Sequence, residues 1–320
     1  MKNVTVLRGG PSQEYDVSMR SGQSVAKALE KLKYPFKDVV ITKSGEWLYN
    51  GFVRSPDSLL DATDVVFIAL HGEYGEDGRV QRVLQRKNIP FTGSRAMSSA
   101  VAFNKELTKR TLGSYDVKMP RHRKVGQHEI YTLNKEARQI VCDIGNELFI
   151  KPISGGSSYG ARYVTNETDL RRTLEELLQI YEQVLVEEYV RGREATVGVL
   201  SNFRGESLYI LPAIEIIPPK GEPMFSTENK YNGKTDEVVP GRFSYSERMK
   251  LAEIASLAHQ VINCDHYSRS DFIVKNGEVY FLELNTLPGL TDQSLFPKAA
   301  AAVGLTFDYL VQHLVETATP

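Results

Sequence analysis

The sequence predicts an α/β protein in which strands and helices alternate through the first hundred or so residues and strands dominate after that. Three observations carry this prediction. The run DVVFIAL at 64–70 is almost unbrokenly apolar and ends at His71 and Gly72. A central parallel strand reads this way when it delivers a loop at its carboxyl end. The segment SGQSVAKALEKL at 21–32 sets Val25, Ala28, Leu29 and Leu32 on one helical face. Short β-patterned segments then recur at 193–200, 208–217, 269–274 and 279–284.

The remaining elements follow in order. Residues 3–7 and 39–41 read as strands, and helical spacing runs from 98 to 112. A strand at 147–151 opens into a glycine and serine loop at 152–160, a charged amphipathic helix follows at 168–183, and 184–189 is a strand with acidic residues at its end. A helix is expected at 246–263, with further helices near the C-terminus. The stretch 218–243, rich in Gly, Pro, Lys and Glu, is too long for an idle connection and reads as a lid or binding loop.

Bulk properties bound the function. A chain of 320 residues has room for two or three packed domains. Its 39 Lys and Arg nearly balance 40 Asp and Glu, so no long-range field marks it for nucleic acid or an anionic membrane, and a small-molecule partner is expected. Cys142 and Cys264 stand alone without metal-ligand spacing, which suggests reduced thiols in a cytoplasmic protein. The N-terminal run lacks the apolar length of a secretion signal, and no later run is long enough to span a membrane.

Six segments carry chemistry. RSDF at 269–272 and LELNT at 282–286 are two strands that would gather Asp271, Glu283 and Asn285, an oxygen set suited to a hard cation on phosphates. Simple solvation of charged strand ends is the open alternative. The continuation TLPGLTDQSL offers the Gly289 amide to a developing oxyanion and Ser294 to a carboxylate. KPISGGSSYG at 151–160 places Lys151 at the base of a loop whose amides suit phosphates, although a plain turn reads equally well. No Walker or dinucleotide glycine motif occurs. EEYVRGRE at 187–194 supplies acceptors for ribose hydroxyls and a purine amine, or else an exposed acidic turn. GGPSQEYDVS at 9–18 and HGEYGEDG at 71–78 both leave strand ends; Glu14 suits an ammonium there, and His71 a carboxyl group.

Taken together and in this order, these segments, with IPFTGS, ENKY and SLFP, closely resemble the D-alanine:D-alanine ligase family of the ATP-grasp superfamily. The resemblance covers nearly the whole chain and implies a three-domain ATP-grasp fold with an N-terminal parallel-sheet domain. The divisions expected are 1–95 for the substrate domain, 96–194 for the central subdomain and 195–320 for the C-terminal subdomain with metal site and lid. It implies ATP and magnesium, with manganese as an alternative, two D-alanine substrates, an acyl phosphate and a homodimer. Lys105 and Lys151 would contact the nucleotide phosphates beside Ser157 and Ser158, Glu187 would mark the adenine hinge, and Glu194 would take the ribose. Asp271, Glu283 and Asn285 would hold the metal. Lys230 would reach the γ-phosphate from the lid, and Tyr231 would join Ser157 and Glu14 in a hydrogen-bonded set. Arg269 and Gly289 would face the oxyanion, and Ser294 and Leu295 the second carboxylate.

The chain departs from the family pattern in three places. Asn104 precedes Lys105 where the family usually has Asp, Arg82 follows Gln81 where Gly is common, and the lid reads FSTENKYNGKTDEVVPG. The rival readings are a ligase using D-lactate or D-serine as acceptor and a non-catalytic nucleotide-binding homologue. Tyr231 favours an amine acceptor, and the complete metal set with Arg269 favours catalysis.

Overall fold

The computed structural model describes residues 1–157, 159–219, 235–291 and 293–320. Its described strands form three sheets. In the first, β1 (Val4–Gly9), β2 (Phe36–Ile41) and β5 (Val65–Ile68) are parallel, and β3 (Trp47–Tyr49) and β4 (Phe52–Val53) extend it antiparallel in the order β4-β3-β2-β1-β5. Helix α1 (Tyr15–Lys31) is the crossover from β1 to β2. It buries Val25, Ala28 and Leu29 as its periodicity predicts, and Ser18, Ser21 and Gly22 on the turn above them. Gly22 is required there, because a Cβ would lie 2.5 Å from the Arg8 side chain. All four residues of β5 are buried, and its outer edge is bridged by Phe91, which is bridged in turn by Thr319 near the C-terminus. An apolar edge strand left open would invite pairing with another chain, so the chain's own tail closes it.

The first sheet does not have a core of its own. Leu310, Val311, Leu314 and Val315 of the C-terminal helix Phe307–Thr317 pack in one buried cluster with Val6, Leu29 and Phe67, and Leu287 and Leu290 belong to the same cluster. Each fully buried Leu or Val contributes roughly 1.5–3 kcal/mol, so this shared cluster fixes the N-terminal loops against the C-terminal ones.

The second sheet orders β6 (His122–Gly126), β9 (Gln183–Glu188), β7 (Leu148–Pro152) and β8 (Arg162–Val164), all antiparallel, under the helices Leu133–Asp143 and Glu167–Leu178. The third runs β13 (Asp236–Val238), β12 (Ile214–Ile217), β10 (Arg193–Phe203), β14 (Tyr267–Lys275) and β15 (Glu278–Asn285), with β11 (Glu206–Ile210) also paired to β10. Helix Tyr245–Val261 covers it, opened by a capping box between Ser244 and Glu247. No described helix is long and apolar enough to cross a membrane.

Two expected elements are broken in the structure. The strand expected at 208–217 is two strands that both pair with β10, because the ladder is interrupted at Leu211–Ala213 around Pro212, which has no amide to donate. The helix expected at 98–112 is also two, Ala96–Phe103 and Lys105–Leu112. Asn104 separates them in an extended conformation and accepts from the Leu107 amide at 3.0 Å, an N-cap. The break brings Lys105 to the glycine and serine loop, where its amide bonds Ile153 O at 3.0 Å. Asn caps as well as Asp, which accounts for the departure at this position. Arg82 is exposed beside a buried Gln81 whose Nε2 donates to Gly75 O, so the missing glycine disturbs no packing.

Asn104→Ala should therefore lower stability by about 1 kcal/mol, while Asn104→Asp should change it by only a few tenths. Chemical denaturation of both variants checks this, and an equal loss in the two would show that capping is not the function of Asn104.

Candidate active site

The antiparallel register of β14 and β15 sets Arg269 opposite Asn285 and Asp271 opposite Glu283. Cross-strand partners share a face, as do residues two apart, so all four side chains stand on one side of the sheet. Arg269 grips Asp271 through two bonds, Nε to Oδ1 at 2.9 Å and Nη2 to Oδ2 at 2.8 Å. Asn285 Nδ2 donates to Asp271 Oδ2 at 3.2 Å, and Thr196 Oγ1 to Asp271 Oδ1 at 2.6 Å. Burial opposes the Arg269 charge, but Asp271 outweighs it and raises the guanidinium's pKa further.

Opposite this face stand three lysines. Lys151, at the end of β7, meets Glu187 Oε2 at 2.8 Å, and Lys109 meets Glu187 Oε1 at 2.7 Å, both pairs buried. Lys105 donates to Gly155 O at 2.7 Å and lies 3.4 Å from Glu283 Oε2. Burial pushes the Glu187 carboxyl up, yet the two ammonium groups pull it down to about 2. Lys151 also resists burial: the carboxylates of Glu187, Glu283 and Asp271 hold its pKa above the ordinary lysine value. For Lys109 burial prevails, and its pKa falls.

The N-terminal loops close the third side. Ser157 Oγ donates to Glu14 Oε1 in a short contact, and a Cβ on Gly156 would lie 2.3 Å from Glu14 Oε2. A side chain at Gly156 would push the Glu14 carboxylate out of its present place. His71 is buried, with Nε2 2.8 Å from Ser21 Oγ and Nδ1 3.1 Å from Leu287 O. Glu76 accepts from the Gly72 amide at 2.8 Å and the Leu287 amide at 3.3 Å; burial and the neighbouring Glu14 push its carboxyl up to about 8. A Cβ on Gly289 would meet Ser294 Oγ at 2.8 Å, so any side chain there would displace the Ser294 hydroxyl.

These groups surround one cavity of about 560 Å³. It is lined by Glu14, His71, Lys105, Lys151, Ser157, Glu187, Glu194, Arg269, Asp271, Glu283, Asn285, Gly289, Ser294 and Leu295. Ser158, Lys230 and Tyr231 lie outside the described residues. Sequence reasoning missed Ser21, Glu76, Lys109 and Thr196. Of these, Glu76 sat inside a singled-out motif, and Thr196 lies two residues from Glu194 on the same strand face. Lys109, four residues from Lys105, carried only helical spacing as a signal. Among the described residues, no cluster of three or more His, Cys, Asp or Glu has metal-holding geometry; the oxygen set at β14 and β15 is two carboxylates and an amide.

Glu187→Gln should leave two buried ammonium groups without their counter-charge and destabilise the fold by about 3–5 kcal/mol at neutral pH. Because this carboxyl lies at about 2 when folded against an ordinary 4.5, the wild-type advantage is full above about pH 4.5 and shrinks as pH falls toward 2. Denaturant unfolding of both chains at neutral pH and near pH 3.5 checks the sign; a gap that widens in acid would refute it.

The chain is similar to known proteins over nearly its whole length. The family model described as D-ala D-ala ligase C-terminus matches residues 112–316, and that described as D-ala D-ala ligase N-terminus matches 3–56 and 50–94. The D-alanine--D-alanine ligase of Syntrophobacter fumaroxidans is 37% identical over 98% of this chain and 97% of its own. That of Desulforudis audaxviator is 35% identical over 99% of each. Among solved structures, D-alanyl-alanine synthetase A from Vibrio cholerae matches with a TM-score of 0.87 at 28% identity, over 99% of this chain and 98% of that one. The VanG D-Ala:D-Ser ligase from Enterococcus faecalis matches with a TM-score of 0.83 at 26% identity, over 99% of each. With both family models matched, full-length relatives above 30% identity and the same ATP-grasp fold, this chain belongs to the D-alanine–D-alanine ligase family.

Proposed function

We propose that the protein joins two D-alanine molecules into D-alanyl-D-alanine at the expense of ATP, by way of an acyl phosphate, and so supplies peptidoglycan precursors in the cytoplasm. The observation that carries the reading is the single polar face of β14 and β15 set against Lys105 and Lys151 across a cavity that Glu14 and Gly289 also line. The domain divisions 1–95, 96–194 and 195–320 and a homodimeric assembly belong to the same proposal.

The residues fit a nucleotide with a divalent ion. Asp271, Glu283 and Asn285 supply oxygens only, the donor type magnesium or manganese takes, and Lys105 and Lys151 offer positive charge to phosphates. When bound, ATP supplies the phosphoryl group that activates a carboxylate, and the ion neutralises its charge. The chain's own work is positional and electrostatic. Glu187 holds Lys151 at the cavity wall, so that charge meets the phosphates already oriented. Glu194 accepts ribose hydroxyls, and the hinge after Glu187 borders the purine. Glu14 takes the ammonium of the first D-alanine, and its bond with Ser157 ties that subsite to the loop over the phosphates. The family resemblance adds Lys230 to the phosphate contacts and Tyr231 to the set of Glu14 and Ser157. Arg269 and the Gly289 amide face the oxyanion that develops when the second amine attacks. Ser294 and the Leu295 region receive the second carboxylate. Exclusion of water from these groups would protect the acyl phosphate from hydrolysis.

The test is incubation with ATP, magnesium and equal D-alanine, D-serine and D-lactate, reading phosphate release and product masses. Equimolar phosphate and D-alanyl-D-alanine as the dominant product are expected, and Glu283→Gln should lower the rate by about 100-fold or more while the chain stays folded. No phosphate release would point to a nucleotide-binding homologue, and a mixed dipeptide or depsipeptide as main product would overturn the assigned acceptor.

A further inference from the structure

The turn that carries Gly289 is held at both ends by the N-terminal part of the chain. On one side, Leu287 donates its amide to Glu76 Oε1 at 3.3 Å and presents its carbonyl to His71 Nδ1 at 3.1 Å. On the other, the Leu290 amide reaches Ser21 Oγ at 3.3 Å, and Ser21 Oγ in turn lies 2.8 Å from His71 Nε2. Ser21, Leu287 and Leu290 are all buried.

The direction of each bond follows from elementary chemistry. A carbonyl oxygen only accepts, so His71 Nδ1 must carry a proton toward Leu287 O. An amide only donates, so the Leu290 N–H points into Ser21 Oγ. His71 is neutral, since burial pushes its pKa down, and Nε2 is then a bare acceptor. The Ser21 hydroxyl proton must go to it. The result is a one-way relay, Leu290 N–H to Ser21 O–H to His71 Nε2, with His71 Nδ1–H returning to Leu287. With the ring neutral, moving its proton to Nε2 would set the bare Nδ1 against the Leu287 carbonyl, two acceptors facing each other, so the direction is fixed.

We propose that Ser21 is a positioning residue for the ligation step: by satisfying the Leu290 amide and fixing the His71 tautomer at once, it locks the Gly289 amide in place relative to Glu14. The inference rests on the function proposed above for Gly289 and Glu14. It couples the first amino-acid subsite to the oxyanion donor, because α1 carries Ser21 and begins immediately after Glu14. The backbone between them is short and helical, so a shift at one is transmitted to the other. The His71 carbonyl strengthens the link: it accepts from Ser12 Oγ at 2.6 Å, and Ser12 Oγ accepts from the Glu14 amide at 3.1 Å. His71 therefore acts through the turn rather than by offering a ring nitrogen to substrate, as both nitrogens are engaged.

Two measurements on the full chain test this. Nitrogen-15 NMR of the imidazoles at neutral pH, with the His71 resonances assigned by their loss in His71→Gln, should show the tautomer protonated on Nδ1 with Nε2 bare. A signal from the opposite tautomer or from imidazolium would overturn the relay. Steady-state kinetics of Ser21→Ala should then show kcat/KM for D-alanine lowered by about 10- to 100-fold, with the KM for ATP changed less than about twofold. Ser21→Cys, which keeps a weak donor, should recover part of the loss. An equal fall in the ATP and D-alanine parameters, or no fall at all in a folded variant, would reduce Ser21 to an ordinary buried serine. Should Ser21→Ala fail to fold, Ser21→Cys and the wild-type tautomer still decide the matter. A wild-type chain without ligase activity would instead remove the functional reading and leave the tautomer result standing.

Discussion

Everything at the proposed reaction centre depends on the register between β14 and β15. Pairing Asp271 with Glu283 and Arg269 with Asn285 gathers two carboxylates, an amide and a guanidinium on one face. A slip of a single residue would turn half of them to the opposite face. The register is held from both sides: Phe272, Val274, Val279 and Phe281 fill the apolar face of the same hairpin, and β10 pairs along β14 from Arg193 to Leu200. The irregularity between Asp271 and Phe272 lies where the polar set ends. Bulges in such places re-aim side chains without abandoning the ladder.

Charge is managed around this face by internal pairing. Lysines are seldom buried unless partnered; Lys109 is fully buried and Lys151 nearly so, and Glu187 is shared between them. The shared carboxylate makes a buried lysine tolerable and also directs it, since Lys109 occupies one oxygen and leaves Lys151 bound to the other. Removing a nucleotide from such a site need not collapse it. The N-terminal loops reach the centre for a different reason: the first sheet shares its apolar cluster with the C-terminal helices and with Leu287 and Leu290, so the two ends of the sequence behave as one body.

Much of this was legible in the sequence because strand alternation and glycine loops are local signals. Glu283 and Asn285 are two apart on an obvious strand, and the loops after β1 and β5 announce themselves by their glycines. The rest depended on tertiary placement. A lysine at 109 looks like any solvated helix lysine until the fold carries it inside. The broken helix at Asn104 escaped notice because apolar spacing continues through it and only the capping side chain betrays the boundary. Strand β6 and the helix Leu133–Asp143 went unassigned, although Leu133, Ala137 and Ile140 are buried at helical spacing. Ser21 could not be singled out at all, since its partners lie 50 residues away at His71 and 269 away at Leu290.

The most direct measurement of the central claim is a crystal structure of the protein with ADP and manganese, the ion located by its anomalous scattering. The account predicts an ion bound by oxygens of Asp271, Glu283 and Asn285 at roughly 2.0–2.2 Å, beside phosphates that meet Lys105 and Lys151. An ion found elsewhere, with those three side chains left to Arg269 and solvent, would contradict it.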